Sequence, residues 1–531
     1  LARTILGPVA RRVAIFSAVV LAAAASTHQR VQQRLYRHRV IMAGLDRTAA
    51  TLLGFLAVAL VLPLNVRFWF PMTGLMVYLW SRTVGAEPTG SNEPVRWSTR
   101  EVVVAGSVVV LAGWMRIWNL GVLEPYTDEY SHMLAGLSLA SGDVSAYERA
   151  AIVSRLMSIA YRANPPLDLM DFVVVGRVPG AVVSAATAIP VFFLARRFGR
   201  RAAAVAALAW AVHPWVVGVG RTIREYAYFP FFSTSMMVIG VALLRRNSGR
   251  PLRGVLVVLL IGGSSLAYAR YDLASTYAAH ALATGGVVGT YWFVQTLLEG
   301  DRRSRRYLFA VGTAAVILGA IFLPGLNIPL EFDLSLDQQS FFFVNLYAGG
   351  TALLSVGSFV PLAVILIVAA WRRSSAEQRA LLAALLVTFF GTLALMTLGW
   401  DRYVRPRYGF FLMPIFLVIL SVGSISLFRD LWPPLSEAFA SRLHGRVRLG
   451  LIAALLLLVI PWPDLIYTQR SDRHGYVRFT DEHHDRVAAV VRYLESESGP
   501  QDVLISTGIV TSALQLVGSE LVENPEQVLN Y

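Results

Sequence analysis

The chain has 531 residues, 56% of them hydrophobic and only 15% charged, with a mean hydropathy of +0.56. That is more apolar surface than a soluble core of this length can hide. The formal net charge of +14 sits in short arginine clusters between apolar runs, the pattern of membrane-protein loops and not of a nucleic-acid surface. With no cysteine in the sequence, disulfides, thiolate metal sites and thiol nucleophiles are excluded.

A hydrocarbon layer of about 30 Å takes roughly 20 apolar residues per helix, and runs of that kind, rich in Ala, Leu and Val, recur along most of the chain. They are too long and too uniform in polarity for the strands of a membrane β-barrel. The expected class is therefore an all-α polytopic membrane protein.

Residues 1–99 read as an N-terminal extension with two or three hydrophobic helices. They comprise a hairpin of roughly 48–64 and 67–81, preceded by a run at 13–26 that is short for a span and reads equally as a tilted helix, an interfacial helix or a remnant of missing sequence. Position 1 is Leu, and no signal-peptide order of segments is seen, so truncation at either end is compatible with the sequence. Residues 100–466 form the expected transmembrane domain, with about eleven core spans from Glu101 onward.

Arginine clusters mark the cytoplasmic side. They are Arg196, Arg197, Arg200 and Arg201; Arg245, Arg246, Arg250 and Arg253; Arg302, Arg303, Arg305 and Arg306; Arg372, Arg373 and Arg379; and Arg429, Arg442, Arg446 and Arg448. Between successive clusters lie two apolar runs, joined by connections that carry acidic, aromatic and Pro residues. These connections fall on the opposite face, at roughly 120–172, 219–226, around Arg270, 324–351 and 400–408.

The tail at 467–531 belongs to the same outer face. Asp485 to Ser496 has helical periodicity, Asp502 to Ser506 reads as a short strand, and Val510 to Val517 reads as helical again, which together predict a small C-terminal α/β segment. It is too short to bury a core alone, so it either docks on the membrane domain or continues.

The first outer connection is the most informative. Thr127 is placed to cap a helix running to Ser141 with Gly142 as its stop, which sets Asp128 and Glu129 in the first turn, where the helix dipole favours their ionised forms. A carboxylate there can act as a general base or hold a cation; the competing account is a solvated helix start, since acidic first turns are common. Ser145 to Glu148 fits a capping box, after which Ile152, Val153, Leu156, Met157 and Ala160 form an apolar stripe. This predicts an amphipathic helix along the membrane, ended by Asn164-Pro165-Pro166-Leu167.

Several motifs stand in order. They are the Asp128-Glu129 pair after the first core span, Pro165-Pro166-Leu167, Gly176-Arg177-Val178, the turn Arg196-Arg197-Phe198-Gly199-Arg200, Arg221 to Tyr226, and Arg402-Tyr403. On this ordered set the chain, over about Glu101 to Asp485, resembles the GT-C superfamily of membrane glycosyltransferases, in particular the branch of protein O-mannosyltransferases and aminoarabinose transferases for lipid A. It departs from that branch at Tyr130 and His132, where the family often shows Asp-Glu-Ala-x-Tyr, and at Asn164, where it shows His-Pro-Pro. Both departures bear on the acceptor.

The resemblance implies transfer of a sugar from a polyprenyl-phosphate donor to a hydroxyl or amine of a lipid, glycan or protein acceptor, on the extracytoplasmic face and with inversion. Independently, the sequence has neither a Walker-type loop nor a Gly-rich dinucleotide fingerprint beside a strand. The resemblance makes Asp128 the leading base, with Glu129 as its partner, and Glu225 a second outer acid for acceptor or sugar, its alternative being an ion pair with Arg221 or Arg224. Tyr226 and His132 are further candidates for acceptor or sugar binding.

Arg402, Arg270, Arg405, Arg407 and Arg221 are candidate ligands of the donor phosphate, because planar guanidinium groups grip phosphate through paired hydrogen bonds. Interfacial snorkelling towards lipid headgroups is the equal alternative for any one of them. Tyr403, Tyr408 and Phe341-Phe342-Phe343 read as an aromatic belt before a substrate groove. No cofactor is required; a divalent cation is compatible with Asp128 and His132, one turn apart, or with His483-His484, although one or two ligands make weak metal sites. Asp168, Asp171 and Asp272 read as structural.

The competing class is a polytopic transporter or a lipid or polysaccharide flippase, which also has many helices and some buried charge. Against it, transporters usually show related halves with broken helices near the midplane, whereas the charged candidates here collect at one face.

Overall fold

The computed structural model describes residues 98–122, 125, 127–142, 151–246, 257–258, 277–299, 305–306, 356–399, 406–438, 487–497, 504–506, 514 and 528–530. The chain divides into two compact units, 1–86 and 87–531, and all described residues belong to the second. The expected N-terminal hairpin, the run at 13–26 and several of the eleven expected spans lie outside the described residues.

Helix α1 (Thr99–Ile117) starts where side chains can serve the free N–H groups of a first turn. Ser98 accepts from the Glu101 backbone at 3.3 Å, and Glu101 accepts from the Ser98 backbone at 3.0 Å, closing a capping box. The helix ends at Trp118, and Asn119 takes a φ of +58° that turns the chain away. Helix α2 (Thr127–Ser141) follows a short 3₁₀ turn at Leu120–Val122. Thr127 is its first helical residue and not the cap, while Gly142 at φ +99° is the expected stop.

Helix α3 (Ala151–Ala163) is amphipathic as expected. Val153 and Met157 are buried with Tyr161, one turn further along the same stripe. It packs between α2 and α4 (Leu169–Ala186). Arg162 of α3 donates to the Leu139 and Ala140 carbonyls, supplying the last turn of α2 with the cation that a helix C-terminus favours. At the start of α4, Asp168 accepts from the Asp171 backbone at 2.8 Å and Asp171 from the Leu167 backbone at 3.3 Å, so both are structural.

Helix α4 and the next, α5 (Ala188–Arg196), form one apolar run of 28 residues, Leu169–Arg196. Gly199, at φ +132°, then reverses the chain into α6 (Arg200–Val212). The buried alanines 202, 203, 206, 207 and 211 of α6 let it approach α1 and α5 closely. After α7 (Pro214–Val219) and a 3₁₀ turn at Glu225–Ala227, α8 (Phe229–Arg246) returns.

Helices α9 (Tyr277–Glu299) and α11 (Ala376–Gly399) pack as one pair, and α10 (Val356–Arg373) and α12 (Met413–Ala438) as another. A Cβ on Gly423 of α12 would stand 2.5 Å from the Leu366 Cβ, so that crossing needs glycine. Among the described residues four segments are long and apolar enough to cross a membrane: Leu169–Arg196, Glu225–Arg245, Ala376–Leu393 and Gly409–Asp430. With the composition, they make this a helical membrane protein.

Arg116, near the end of α1, is fully buried. It donates to Ala112 of its own helix (2.9 Å), to the Ser184 hydroxyl on α4 (2.9 Å) and to the Trp210 and Ala211 carbonyls of α6 (3.0 and 3.2 Å). Those last two oxygens belong to a helix end, where carbonyls lack intrahelical donors.

Among the described residues, members of four of the arginine clusters lie near one another. Arg196 contacts Glu101 at 2.9 Å, Arg245 contacts Glu377 at 3.0 Å, and Arg373 pairs with Asp430. Arg197 lies within electrostatic range of Arg245 and Glu377, and Arg429 within that of Arg201 and Arg373.

Beyond 466 the structure describes α13 (Val487–Glu497) and two three-residue strands, β1 (Leu504–Ser506) and β2 (Val528–Asn530), paired in parallel with Leu504 opposite Val528. Val491 and Leu514 are buried in the same apolar cluster as Tyr130, Met133, Met157 and Phe172. Val491 of α13 and Leu514 thus pack with residues of α2 to α4.

Candidate functional site

Neighbouring residues on a helix point about 100° apart, so Asp128 and Glu129 cannot share one surroundings. Glu129 turns inward, with no exposure to solvent. Arg177 of α4, itself buried, donates to its carboxylate from Nε at 3.1 Å and Nη2 at 3.2 Å, and from Nη1 to the Leu120 carbonyl at 2.8 Å. This bidentate pair supplies the charge-assisted bonds that a buried carboxylate requires and pins α2, α4 and the Leu120 turn together.

Asp128 turns the other way and is 37% exposed. Its carboxylate accepts from Nη1 of Arg224. Arg224 has extended backbone just before the Glu225 turn and is only 8% exposed. Its Nε lies 3.4 Å from the Glu225 carboxylate, and its guanidinium stands 5.4 Å from the centre of the Tyr226 ring, within reach of a cation–π contact. A single arginine thus serves two carboxylates over an aromatic floor.

His132, one turn after Asp128 on the same face, closes the group with Nε2 3.8 Å from Glu225. Burial pushes its pKa down to about 4, helped by Arg224 and opposed by Glu225 and Asp128. At neutral pH it is an uncharged imidazole, so its approach to Glu225 is not an ion pair.

The structure brings together Asp128, His132, Glu225 and Tyr226. For Glu225 the geometry matches the ion-pair alternative, with Arg224 as partner. Tyr226 is buried, belongs to the main apolar cluster and offers its ring to Arg224. Arg221 is fully buried and donates to the Asn119 carbonyl, tying the Arg221–Tyr226 segment to the entry of the first loop. The acceptor lies two residues past the end of α1.

Arg407 lies in the 3₁₀ turn Pro406–Leu412, which packs against the Glu225–Ala227 turn. Arg270, Arg402, Arg405, Tyr403, Asp272, Phe341 to Phe343, His483 and His484 lie outside the described residues. Among the described residues no group of three or more His, Asp and Glu is arranged to hold a metal ion.

Two participants escaped the sequence reading. Arg177 stood there only as part of a motif, and Arg224 only as an alternative partner of Glu225. The signal for Arg177 was available: adjacent carboxylates on a helix send one side chain inward, and a buried carboxylate calls for a buried cation.

No family model matches the chain, and no curated protein does. Among solved structures the fold is similar to ArnT from Cupriavidus metallidurans bound to undecaprenyl phosphate, at 15% identity and a TM-score of 0.46 over 82% of this chain and 90% of that one. It is also similar to the archaeal oligosaccharyltransferase AglB from Archaeoglobus fulgidus in complex with an inhibitory peptide and a dolichol-phosphate. There the identity is 14% and the TM-score 0.45, over 81% of this chain and 65% of that one.

Proposed function

We propose that the chain is a multi-pass membrane glycosyltransferase of the GT-C kind. It moves a hexose or pentose from a polyprenyl-phosphate-linked donor to a lipid, glycan or protein acceptor, with the site and the C-terminal tail on the extracytoplasmic face. The observation that carries this reading is the unequal treatment of two adjacent carboxylates. Glu129 is locked in a buried bidentate pair, while Asp128 stays half-exposed in the first turn of α2 beside a guanidinium. The ordered sequence motifs support it further.

In this reading the acceptor oxygen or nitrogen attacks the anomeric carbon from the face opposite the phosphate. The bond from that carbon to the phosphate oxygen breaks, and the phosphate leaves with the electron pair. Asp128 takes the acceptor's proton as general base. Cations beside the leaving phosphate offset its developing charge. Arg177 and Glu129 hold α2 so that Asp128 stays in place.

The test is transfer in reconstituted vesicles that contain a polyprenyl-phosphate sugar and no nucleotide sugar, with product read by mass spectrometry. Turnover is expected, and Asp128→Asn in folded protein lowers it by about 10²–10⁴-fold, the usual contribution of a general base. A strict need for a nucleotide sugar refutes the donor assignment. Movement of the lipid or glycan across the vesicle without any bond made supports a flippase instead.

A further inference from the structure

In the arrangement described, the proposed base is not free to act. The Asp128 carboxylate faces Nη1 of Arg224, so the oxygen that would meet the acceptor is already occupied by a guanidinium donor. Arg224 has a second carboxylate within reach, Glu225 at 3.4 Å, and Tyr226 beneath it. Losing Asp128 would therefore leave it still held in place. Among the described residues, His132 also faces this cluster; it is neutral at pH 7 and adds no compensating charge. The pair also lies where an incoming substrate can reach it, since Asp128 is 37% exposed.

Resting on the glycosyl-transfer reading above, we propose that Arg224 is a second residue of the reaction. It exchanges Asp128 for the phosphate of the donor, so that donor binding releases the base. One guanidinium then does two things in turn. It keeps Asp128 paired until a phosphate oxygen takes over its Nη1 donor, and it stays beside the phosphate as charge develops there. Glu225 and Tyr226 hold its near end throughout, so only the tip of the side chain changes partner. Binding is ordered as a result, because an acceptor that arrives first meets a carboxylate still occupied by Arg224.

The experiment needs no turnover. A water-soluble carbodiimide with an amine tag modifies carboxyl groups through their protonated form, and tagging of Asp128 in the full-length detergent-solubilised protein is read by peptide mass spectrometry at a fixed mildly acidic pH. Sugar-free polyprenyl monophosphate, the matching polyprenol and inorganic phosphate are added in separate arms.

Polyprenyl phosphate is expected to raise tagging of Asp128 by about tenfold as its carboxylate loses the Arg224 donor. The polyprenol is expected to have no effect. A rise with inorganic phosphate as well supports the exchange and shows that the headgroup suffices. Arg224→Gln is expected to tag strongly without any addition and to respond to none, whereas Arg224→Lys keeps the charge and the low starting level. Unchanged or reduced tagging in wild-type protein with polyprenyl phosphate overturns the exchange, as does a rise with polyprenol. If transfer is measured and tagging does not respond, the exchange fails and the glycosyltransferase reading stands. If tagging responds and no transfer is found, the reverse holds.

Discussion

At the arginine-rich end of the bundle, one carboxylate is shared by two guanidiniums: Glu101 accepts from Arg196 at 2.9 and 3.1 Å, lies 3.2 Å from Arg200, and also closes the capping box of α1. At the other end the ratio is inverted, with Arg224 shared by Asp128 and Glu225. An excess of donors around one carboxylate leaves it no reason to change partner, and it fixes α1 to α5. One guanidinium between two carboxylates can be traded from one to the other. The same two residue types thus give a rivet at one end and an exchangeable contact at the other.

This contrast breaks most severely at Glu129, the locked neighbour of Asp128. Arg177→Met removes one partner of a fully buried pair and is expected to cost about 3–5 kcal/mol, while Arg177→Met with Glu129→Met recovers most of that loss. Thermal unfolding in detergent measures both. A single variant no worse than the double would show that the pair is not what secures α2.

A second effect follows from His132. Its pKa is about 4 in the folded protein against an ordinary value of 6.5, so between these the unfolded chain binds more protons. The contribution is fully present above pH 6.5 and is lost as pH falls towards 4, by up to about 3 kcal/mol. His132→Gln should remove this part of the acid sensitivity. Equal slopes of unfolding midpoint against pH in wild type and variant would mean that the imidazole takes up its proton without cost.

The smallest effects sharpen the other side of the comparison. Glu101→Gln is expected to cost about 1–2 kcal/mol through weakened charge-assisted bonds. Arg200→Ala should stay within about 0.5 kcal/mol, because that side chain is 62% exposed. A larger loss for Arg200 than for Glu101 would contradict the picture of a carboxylate-centred rivet.

The sequence was most legible where the determinants are local. Gly142 and the acidic first turn bound α2, the Val153 and Met157 stripe marks α3, Pro165-Pro166 ends it, and the Gly199 turn reverses the chain. Thr127 misled by one position, because any small polar residue near a helix start fits a cap. The site itself is made of non-local pairs. Glu129 meets Arg177 across 48 positions, and Asp128 meets Arg224 across 96. Periodicity cannot supply such contacts, nor the one from Arg221 to the Asn119 carbonyl across 102 positions. Arg116 shows the limit most clearly, since a lone arginine near the end of an apolar run gives no hint that its acceptors lie on two other helices.

Arg116 also imposes an order on biosynthesis. Only Ala112 among its acceptors lies on its own helix; Ser184 follows 68 residues later, and Trp210 and Ala211 follow 94 and 95 later. At a synthesis rate of about 5–20 residues per second, α1 carries an under-served guanidinium for roughly 5–20 s before α4 and α6 exist to enclose it. An arginine in that condition favours the water-facing edge of the membrane. Helix α1 alone therefore offers that guanidinium one of its four acceptors, and the set closes only once α4 and α6 are in place.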